Sequence, residues 1–237
     1  MSYNCVLLDF DETLVSFTES ERFSLTKLYN KYNIPVTEEN INFYVDANEA
    51  LWREFEKGKI KKQYIEKTRF INIVEKFGLK DVTAEQLNRD YLNYLRNSAI
   101  PYDGAIEFLE DIEDFTTIAI VTNGIEHVQQ SRLKLSKVSD FADGIFTSEK
   151  VGFNKPDKRI FNSALKALGI ENKKKVLVVG DNLYSDIKGG INAGLDTCWV
   201  NFKGEENTSE IKPTYTVQGF EELKVIILGE NYERKEK

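Results

Sequence analysis

Two patterns of apolar residues divide the chain into a helical stretch and a stretch of alternating strands and helices. Between about residues 16 and 98, apolar residues recur every three or four positions, which predicts about four amphipathic helices, one of them from Ile65 to Phe77. An apolar run at residues 5–8 and several more after Pro101 predict buried strands, separated by helical patterns. We therefore expect an α/β protein with a doubly wound parallel sheet, into which an all-helical domain is inserted after the first strand.

The later runs define the expected order of elements in the sheet domain. Strands are expected at residues 117–122, 144–147, 175–180, 197–200 and 215–217. Helices are expected at residues 126–135, 157–168, 185–193 and 220–228. In the helical stretch, Thr37 and Thr83 precede acidic first turns and are expected to cap helices. These assignments place one domain at residues 1–15 and 99–237 and the other at residues 16–98.

Composition narrows the classes of function. The 237 residues are 41% hydrophobic and 30% charged, as in ordinary globular domains, and the formal net charge is −7. An acidic protein is poorly suited to bind nucleic-acid polymers or membrane surfaces, although a local positive pocket can still hold a small anion. We therefore expect a small anionic partner and neither a nucleic acid nor a membrane.

Cysteine usage and the distribution of apolar residues indicate the cellular compartment of the protein. Cys5 and Cys198 lie in apolar runs without a Cys/His cluster, so we expect two buried free thiols. The sequence has no signal-peptide pattern and no apolar stretch of about 20 residues, so we expect a cytoplasmic protein. The charged tail after Gly229 is expected to be solvated.

Polar residues follow four of the predicted strands, at the sheet edge where ligands bind in such folds. They are Asp9 and Asp11, Thr122-Asn123-Gly124, Asn154-Lys155-Pro156, and Asp181 with Asp186. Each group alone is also typical of a turn or of a helix start. Four carboxylates, a lysine and a hydroxyl at one edge together predict a site for a phosphate and a metal ion.

The acids are suited to phosphoryl transfer. Asp9 and Asp11 point the same way on an extended backbone, because side chains repeat every second residue. A carboxylate can attack phosphorus to form an aspartyl phosphate, and Asp9 is the predicted nucleophile. We expect Mg²⁺ at Asp9 and Asp181, with Asp186 as a direct ligand or a partner of one. Asp11 is placed to protonate the leaving oxygen and later to take a proton from water.

Neutral donors and a lysine complete the predicted phosphate site. The Thr122 side chain and the backbone N–H groups of Asn123 and Gly124 can donate to phosphate oxygens. Lys155 is expected to neutralise negative charge and so to reduce the repulsion between Asp9 and the phosphate. For His127, the single histidine, we expect a structural role, because the sequence offers it no catalytic partner.

These motifs resemble the four ordered motifs of the haloacid dehalogenase (HAD) superfamily, and the resemblance covers essentially the whole chain. The matching segments are Asp9-Phe10-Asp11-Glu12-Thr13, Thr122-Asn123-Gly124, Lys155-Pro156, and Gly180-Asp181 with Asp186. The resemblance implies a HAD-like Rossmannoid core, a type-one cap that closes over the substrate, and a metal contact from the backbone carbonyl of Asp11. Dehalogenases of the superfamily lack the second aspartate, so Asp11 indicates the Mg²⁺-dependent phosphatases.

A narrower resemblance is to the bacterial pyrimidine nucleoside 5′-monophosphate phosphatases. It rests on Leu51-Trp52, Lys57-Gly58, Thr68-Arg69-Phe70 and the segments 189–195 and 197–199. It implies a nucleoside monophosphate as substrate, with Phe17 or Trp52 stacked on the base and Arg69 at a polar edge of it. The alternative, which we prefer for each of these three side chains, is that they belong to the core of the cap.

Other functions fit parts of the pattern. A HAD phosphatase acting on a sugar phosphate or another small phosphomonoester would carry the same sheet motifs. A receiver-like signalling domain is also doubly wound and Mg²⁺-dependent, but its metal-binding acids are normally adjacent and its phosphorylated aspartate follows a later strand. A non-catalytic binding protein would usually have lost an acid or the lysine. The expected function is therefore that of a Mg²⁺-dependent 5′-nucleotidase acting through an aspartyl phosphate.

Overall fold

The computed structural model describes residues 2–229, and the chain divides into two compact units. The first unit combines Met1–Ser16 with Ile100–Lys237, and the second is Phe17–Ala99. The charged tail after Gly229 lies outside the described residues. Within residues 2–229, no helix is both long enough and apolar enough to cross a membrane.

A parallel sheet forms the centre of the first unit. The strands of the chain are β1 (Cys5–Leu8), β2 (Val15–Ser16), β3 (Ile100–Pro101), β4 (Thr117–Thr122), β5 (Gly144–Thr147), β6 (Val176–Gly180), β7 (Asp196–Val200) and β8 (Tyr215–Val217). Six of them form one sheet in the order β5–β4–β1–β6–β7–β8, with parallel neighbours, and β2 pairs with β3 in an antiparallel ribbon. The predicted doubly wound parallel sheet is confirmed.

The central strands β1 and β6 are buried on both faces, which explains why they are continuous apolar runs. Along β1, Val6 and Leu8 enter one apolar cluster, while Cys5 and Leu7 enter another on the opposite face. This alternation follows from the two-residue repeat of a strand. Both predicted free thiols are confirmed, since Cys5 and Cys198 are buried and unpaired.

The second unit is helical and contains one more helix than the sequence predicts. Its helices are α1 (Phe17–Lys31), α2 (Glu38–Glu56), α3 (Lys62–Thr68), α4 (Ile71–Phe77) and α5 (Ala84–Leu95). The pattern from Ile65 to Phe77 predicts a single helix, and that prediction is wrong. The helix is interrupted at Arg69 and Phe70, where Arg69 donates from Nε to Asn88 Oδ1 at 2.6 Å and Phe70 stacks on Tyr44. Tertiary contacts outweigh helical periodicity at this break.

The two predicted caps of the second unit are confirmed. The Thr37 hydroxyl accepts a hydrogen bond from the backbone N–H of Asn40 at 3.2 Å, at the start of α2. The Thr83 hydroxyl accepts one from the backbone N–H of Gln86 at 3.1 Å, at the start of α5. Each cap satisfies a donor that the first helical turn leaves without an intrahelical acceptor.

A buried polar cluster lies inside the second unit. Glu21 accepts hydrogen bonds at Oε1 from Asn48 Nδ2 at 3.0 Å and from the Tyr91 hydroxyl at 3.2 Å. Burial raises the pKa of Glu21 to about 7, while Tyr91 and the nearby Arg69 guanidinium act in the opposite direction. The guanidinium of Arg69 lies 4.7 Å from the centre of the Tyr91 ring. A carboxyl is thus held by polar partners in the interior of the helical unit.

The helices of the first unit cover its sheet. They are α6 (Ala105–Ile112), α7 (Glu126–Leu135), α8 (Ser148–Val151), α9 (Lys158–Ala167), α10 (Lys188–Ala193) and α11 (Phe220–Leu228). Helix α6 is not among the predicted elements, because it is only about two turns long. The helix expected at residues 185–193 instead begins as a π-helical turn, Leu183–Ile187, and continues as α10. The Asn182 side chain shapes that turn by accepting from the N–H groups of Tyr184 and Ser185.

Candidate active site

The predicted site residues of the first unit converge at one edge of the sheet. Strand β1 lies between β4 and β6, and Leu8 pairs with Ile120 on one side and with Val179 on the other. The backbone N–H of Asp9 donates to the carbonyl of Val179 at 2.8 Å, so the chain leaves β1 in register with β6. This topology places the residues that follow β1, β4 and β6 beside one another, as expected for a parallel sheet.

Three carboxylates form a cluster at this edge. Oxygen atoms of Asp9, Asp181 and Asp186 all lie within 4.8 Å of one another. The Lys155 ammonium lies 2.6 Å from Asp9 Oδ1 and 2.6 Å from Asp186 Oδ1. The side chains of Lys155 and Asp186 are only 3% and 2% exposed, so this ion pair is shielded from water. One buried cation is therefore shared by two of the three acids.

The single positive charge of Lys155 does not neutralise the three carboxylates of the cluster. Burial raises the pKa of Asp9 to about 7; Lys155 opposes this rise, and Asp186 adds to it. Burial, with the charges of Asp9 and Asp186, raises the pKa of Asp181 well above the usual range. Burial by itself would lower the pKa of Lys155, but the carboxylates of Asp186 and Asp9 raise it above the ordinary lysine value. A further cation among these oxygens would let all three carboxylates stay ionised.

The donor set fits Mg²⁺. Hard carboxylate oxygens are the ligands that this ion takes in phosphate-handling sites, where one or two carboxylates leave positions for a substrate. Asp9 and Asp181 are the predicted direct ligands, and Asp186 lies close enough to join them or to orient them. Contact from the backbone carbonyl of Asp11 stays a prediction.

Backbone and side-chain contacts fix Asp181 and Asp186. The Thr13 hydroxyl accepts from the backbone N–H of Asp181 at 3.1 Å, and Trp199 Nε1 donates to the carbonyl of Asp181 at 2.7 Å. Asp186 Oδ2 accepts from the backbone N–H of Asn182 at 3.2 Å. Position 180 is a glycine because a Cβ there would collide with the Asp186 carboxyl. The turn after β6 is thus built around Asp186.

Asn123 holds the loop that carries Lys155. Its Oδ1 accepts from the backbone N–H of Lys155 at 2.9 Å, and its Nδ2 donates to the carbonyl of Lys155 at 3.1 Å. The side chain of Asn123 is therefore committed to positioning Lys155. Contact with a phosphate is left to its backbone N–H, as the sequence predicts. The N–H of Gly124, expected to donate to phosphate as well, donates to Thr122 Oγ1 at 3.0 Å.

Asp11 is contacted by two residues of α7 that the sequence motifs do not include. Gln129 Nε2 donates to Asp11 Oδ2 at 2.8 Å, and Arg132 Nη1 donates to Asp11 Oδ1. The Arg132 side chain is fully buried, whereas that of Asp11 is 25% exposed. Gln129 also donates to Thr122 Oγ1 at 2.9 Å. Helix α7 thereby links the second aspartate of the first motif to the threonine of the second.

The pattern along α7 contains the signal that could have identified these two residues. Val128, Gln129, Arg132 and Leu133 form the buried face of the helix. A long polar side chain at a buried helical position requires a polar partner in the interior. Two such residues in the helix that follows the Thr122-Asn123-Gly124 motif therefore indicate a polar network at the sheet edge. Thr13 and Trp199 carry no comparable signal, because their contacts with Asp181 join separate segments of the chain.

The three candidate substrate contacts lie in the second unit. Phe17 is the first residue of α1. Trp52, on α2, contacts Phe55 edge-on, with 5.5 Å between ring centres. Arg69 is 3% exposed and is bonded to Asn88. These contacts lie inside the helical unit, so a role of the three residues in substrate binding stays a prediction.

Comparison with known proteins shows the family to which the chain belongs. The haloacid dehalogenase-like hydrolases match residues 3–194. The HAD-hydrolase YfnB of Bacillus subtilis (strain 168) is 36% identical over 97% of each chain. The pyrimidine 5′-nucleotidase YjjG of Escherichia coli (strain K12) is 35% identical, covering 96% of this chain and 99% of the relative. The pyrimidine 5′-nucleotidase PynA of Streptococcus pneumoniae (strain ATCC BAA-255 / R6) is 34% identical over 94% of each.

A solved structure supports the same relationship. The crystal structure of Bacillus subtilis YfnB bound to magnesium superimposes with a TM-score of 0.89 and 36% identity, covering 96% of this chain and 99% of that one. That crystal structure revealed interdomain movement in YfnB. The sequence and structural similarities both extend over nearly the whole chain, second unit included.

Proposed function

The chain belongs to the haloacid dehalogenase-like hydrolases and is a phosphatase, and from this premise we propose that it is a Mg²⁺-dependent 5′-nucleotidase acting on pyrimidine nucleoside monophosphates. The observation that carries the proposal is the cluster of Asp9, Asp181 and Asp186 around Lys155, with Asp11 beside it. The names of YjjG and PynA support the choice of substrate.

The proposed reaction has two steps. In the first, an oxygen of Asp9 attacks phosphorus, the bond from phosphorus to the leaving oxygen breaks, and Asp11 gives that oxygen a proton. In the second, Asp11 takes a proton from water, whose oxygen attacks the aspartyl phosphate and releases inorganic phosphate. Splitting hydrolysis in this way replaces one difficult displacement by two easier ones.

The other residues of the site manage charge. Lys155, held against Asp9 and Asp186, offsets the repulsion between the nucleophile and an anionic phosphate. Asp9, Asp181 and Asp186 would hold Mg²⁺, which supplies positive charge to the phosphoryl oxygens when bound. Thr122 and the N–H of Asn123 would donate hydrogen bonds to the remaining phosphate oxygens.

We assign the two compact units different tasks. The first unit carries the groups for chemistry, and the second acts as the cap that selects the leaving group. The interdomain movement recorded for YfnB supports a cap that opens and closes. Phe17, Trp52 and Arg69 are the candidate contacts to the base, and the alternative is that they belong to the core of the second unit.

The test is phosphate release from a panel of nucleoside 5′-monophosphates and sugar phosphates, with Mg²⁺ and with a chelator. We expect release from dUMP, UMP and dTMP that stops with the chelator, and little release from sugar phosphates. Asp9→Asn should abolish turnover and leave the thermal unfolding temperature near that of the parent protein. Release confined to sugar phosphates would keep the mechanism and reject the nucleotide substrate. Full activity of Asp9→Asn would reject the mechanism.

A further inference from the structure

One face of α7 contacts both oxygens of the Asp11 carboxylate. Gln129 Nε2 lies 2.8 Å from Oδ2, and Arg132 Nη1 donates to Oδ1. Gln129 is 1% exposed and Arg132 0% exposed, so both donors act from the interior of the first unit. A carboxylate held at both oxygens by buried donors has little freedom to rotate about its terminal torsion.

The orientation of the Gln129 amide is determined by its neighbours. Arg132 Nη1 lies 3.1 Å from Gln129 Oε1, and a guanidinium can only donate. The oxygen of the amide must therefore face Arg132, and its nitrogen must face Asp11 and Thr122. The two protons on Nε2 match the two acceptors, Asp11 Oδ2 at 2.8 Å and Thr122 Oγ1 at 2.9 Å. The hydrogen-bonding capacity of this amide nitrogen is thus fully used.

The same network sets the direction of the Thr122 proton. Thr122 Oγ1 accepts from Gln129 Nε2 and from the backbone N–H of Gly124 at 3.0 Å. A hydroxyl oxygen has two lone pairs, so both are occupied, and the Thr122 proton is left to donate elsewhere. A phosphate oxygen at the sheet edge is the acceptor that the proposed function supplies.

The glycine of the second motif makes room for this arrangement. A Cβ at position 124 would collide with the side-chain amide of Gln129. Any other residue at this position would displace the amide from Asp11. The Arg132 guanidinium lies 5.2 Å from the centre of the Phe10 ring, which packs this cation against the first motif.

We propose that Gln129 is a positioning residue that aims the Asp11 carboxylate at the leaving oxygen, with Arg132 fixing the orientation of the Gln129 amide. The inference rests on the proposed function, in which Asp11 is the general acid for the first step. In this proposal Gln129 acts through Asp11, and secondarily through Thr122.

The experiment separates aiming of Asp11 from general damage by varying the leaving group. The nucleoside alkoxide leaves poorly and needs a proton, whereas 4-nitrophenolate leaves readily without one. We compare kcat/KM for dUMP and for 4-nitrophenyl phosphate, because this ratio reports phosphoryl transfer to Asp9 and excludes the later hydrolysis of the phosphoenzyme. The variants are Gln129→Met, which keeps length and removes the donors, and the exposed neighbour Gln130→Met as control.

We expect Gln129→Met to lower kcat/KM for dUMP by about 10²-fold, the lower end of the range for general acid catalysis. The loss of kcat/KM for 4-nitrophenyl phosphate should be smaller than this by a factor of about ten or more. Any loss common to both substrates measures the effects that do not act through Asp11, including the effect on Thr122. In an Asp11→Asn background, the further loss specific to dUMP should vanish, because the two residues act as a unit. Gln130→Met should match the parent protein on both substrates.

The outcomes distinguish a failure of the positioning role of Gln129 from a failure of the proposed function. Equal losses of Gln129→Met on both substrates, or no loss, would overturn the positioning role. If Asp11→Asn itself shows no preference for the good leaving group, the acid role of Asp11 in the proposed function fails. Should Gln129→Met not fold, Gln129→Asn, which shortens the side chain by one methylene, must show the same dependence on the leaving group.

Discussion

Lys155 Nζ lies 2.6 Å from Asp9 Oδ1, although 146 positions separate the two residues along the chain. The ammonium also contacts Asp186 at 2.6 Å, and its side chain is almost fully buried. A buried cation between two carboxylates is strongly held, because removing it would leave both acids without a countercharge. This contact ties the loop between α8 and α9 to the predicted nucleophile directly after β1.

Lys155→Met should reduce kcat by about 10²–10³-fold, as for the loss of one preorganised electrostatic donor at an active site. The methionine side chain fills much of the same volume but leaves the nucleophile and the phosphate to repel each other. Steady-state kinetics with a nucleotide substrate would measure the loss. Lys158→Met, at an exposed position of α9, serves as the matched control and should retain activity. A Lys155→Met enzyme within a few-fold of the parent rate would contradict the assigned role.

Mg²⁺ should stabilise the folded protein through the acid cluster. An ion that binds only the folded state raises the free energy of unfolding by about 2.7 kcal/mol at 100 times its dissociation constant. The unfolding temperature should therefore rise with added Mg²⁺ in the parent protein. Asp181→Asn should lose this dependence, while Asp114→Asn, at an exposed position, should keep it. An unchanged Mg²⁺ dependence in Asp181→Asn would place the ion elsewhere.

The hydroxyl of Thr122 should contribute to phosphate binding. Thr122→Val removes the proton that the network with Gln129 and Gly124 leaves available, whereas Thr122→Ser keeps it. We expect Thr122→Val to lower kcat/KM by about 10–10²-fold, the cost of a charge-assisted hydrogen bond of 1.5–3 kcal/mol. Thr122→Ser should stay within a few-fold of the parent protein. Inhibition by inorganic phosphate would show the same order, and equal inhibition of both variants would argue against the contact.

Glu21 should make the stability of the second unit depend on pH. Burial raises the pKa of Glu21 from 4.5 to about 7, so the folded state binds a proton that the unfolded chain releases. The stabilising effect of this proton is fully present below about pH 4.5 and is lost as pH rises through about 7. The difference is at most roughly 3 kcal/mol, from 1.36 kcal/mol for each pKa unit.

Glu21→Gln should flatten this dependence, because glutamine does not titrate and can still accept from Asn48 and Tyr91 at its oxygen. Urea unfolding at pH 5 and at pH 8, in the parent and the variant, measures the change. Glu49→Gln, with an exposed side chain on the same unit, controls for loss of a charge. If the parent and Glu21→Gln lose stability equally between the two pH values, Glu21 is not the group responsible.

Local sequence patterns predicted the fold class, which the structure confirms, and the candidate site residues. Continuous apolar runs mark strands buried on both faces, and the polar residues directly after them mark the ligand-binding edge. The acids, Thr122 and Lys155 could be assigned on this basis, because each lies next to a recognisable strand or motif. The helix boundaries set by Thr37 and Thr83 were equally local, since a cap involves residues only three positions apart.

Contacts between distant segments decided the rest. The break at Arg69 depends on Asn88 and Tyr44, which a helical period in the local sequence does not report. The link from Gln129 to Asp11 spans 118 positions, and the bond from Trp199 to the carbonyl of Asp181 joins β7 to the turn after β6. A periodic pattern records only which face of an element is buried. The partner that a buried polar side chain meets depends on packing of the whole unit, so the tertiary structure alone reveals Gln129 and Arg132 beside Asp11.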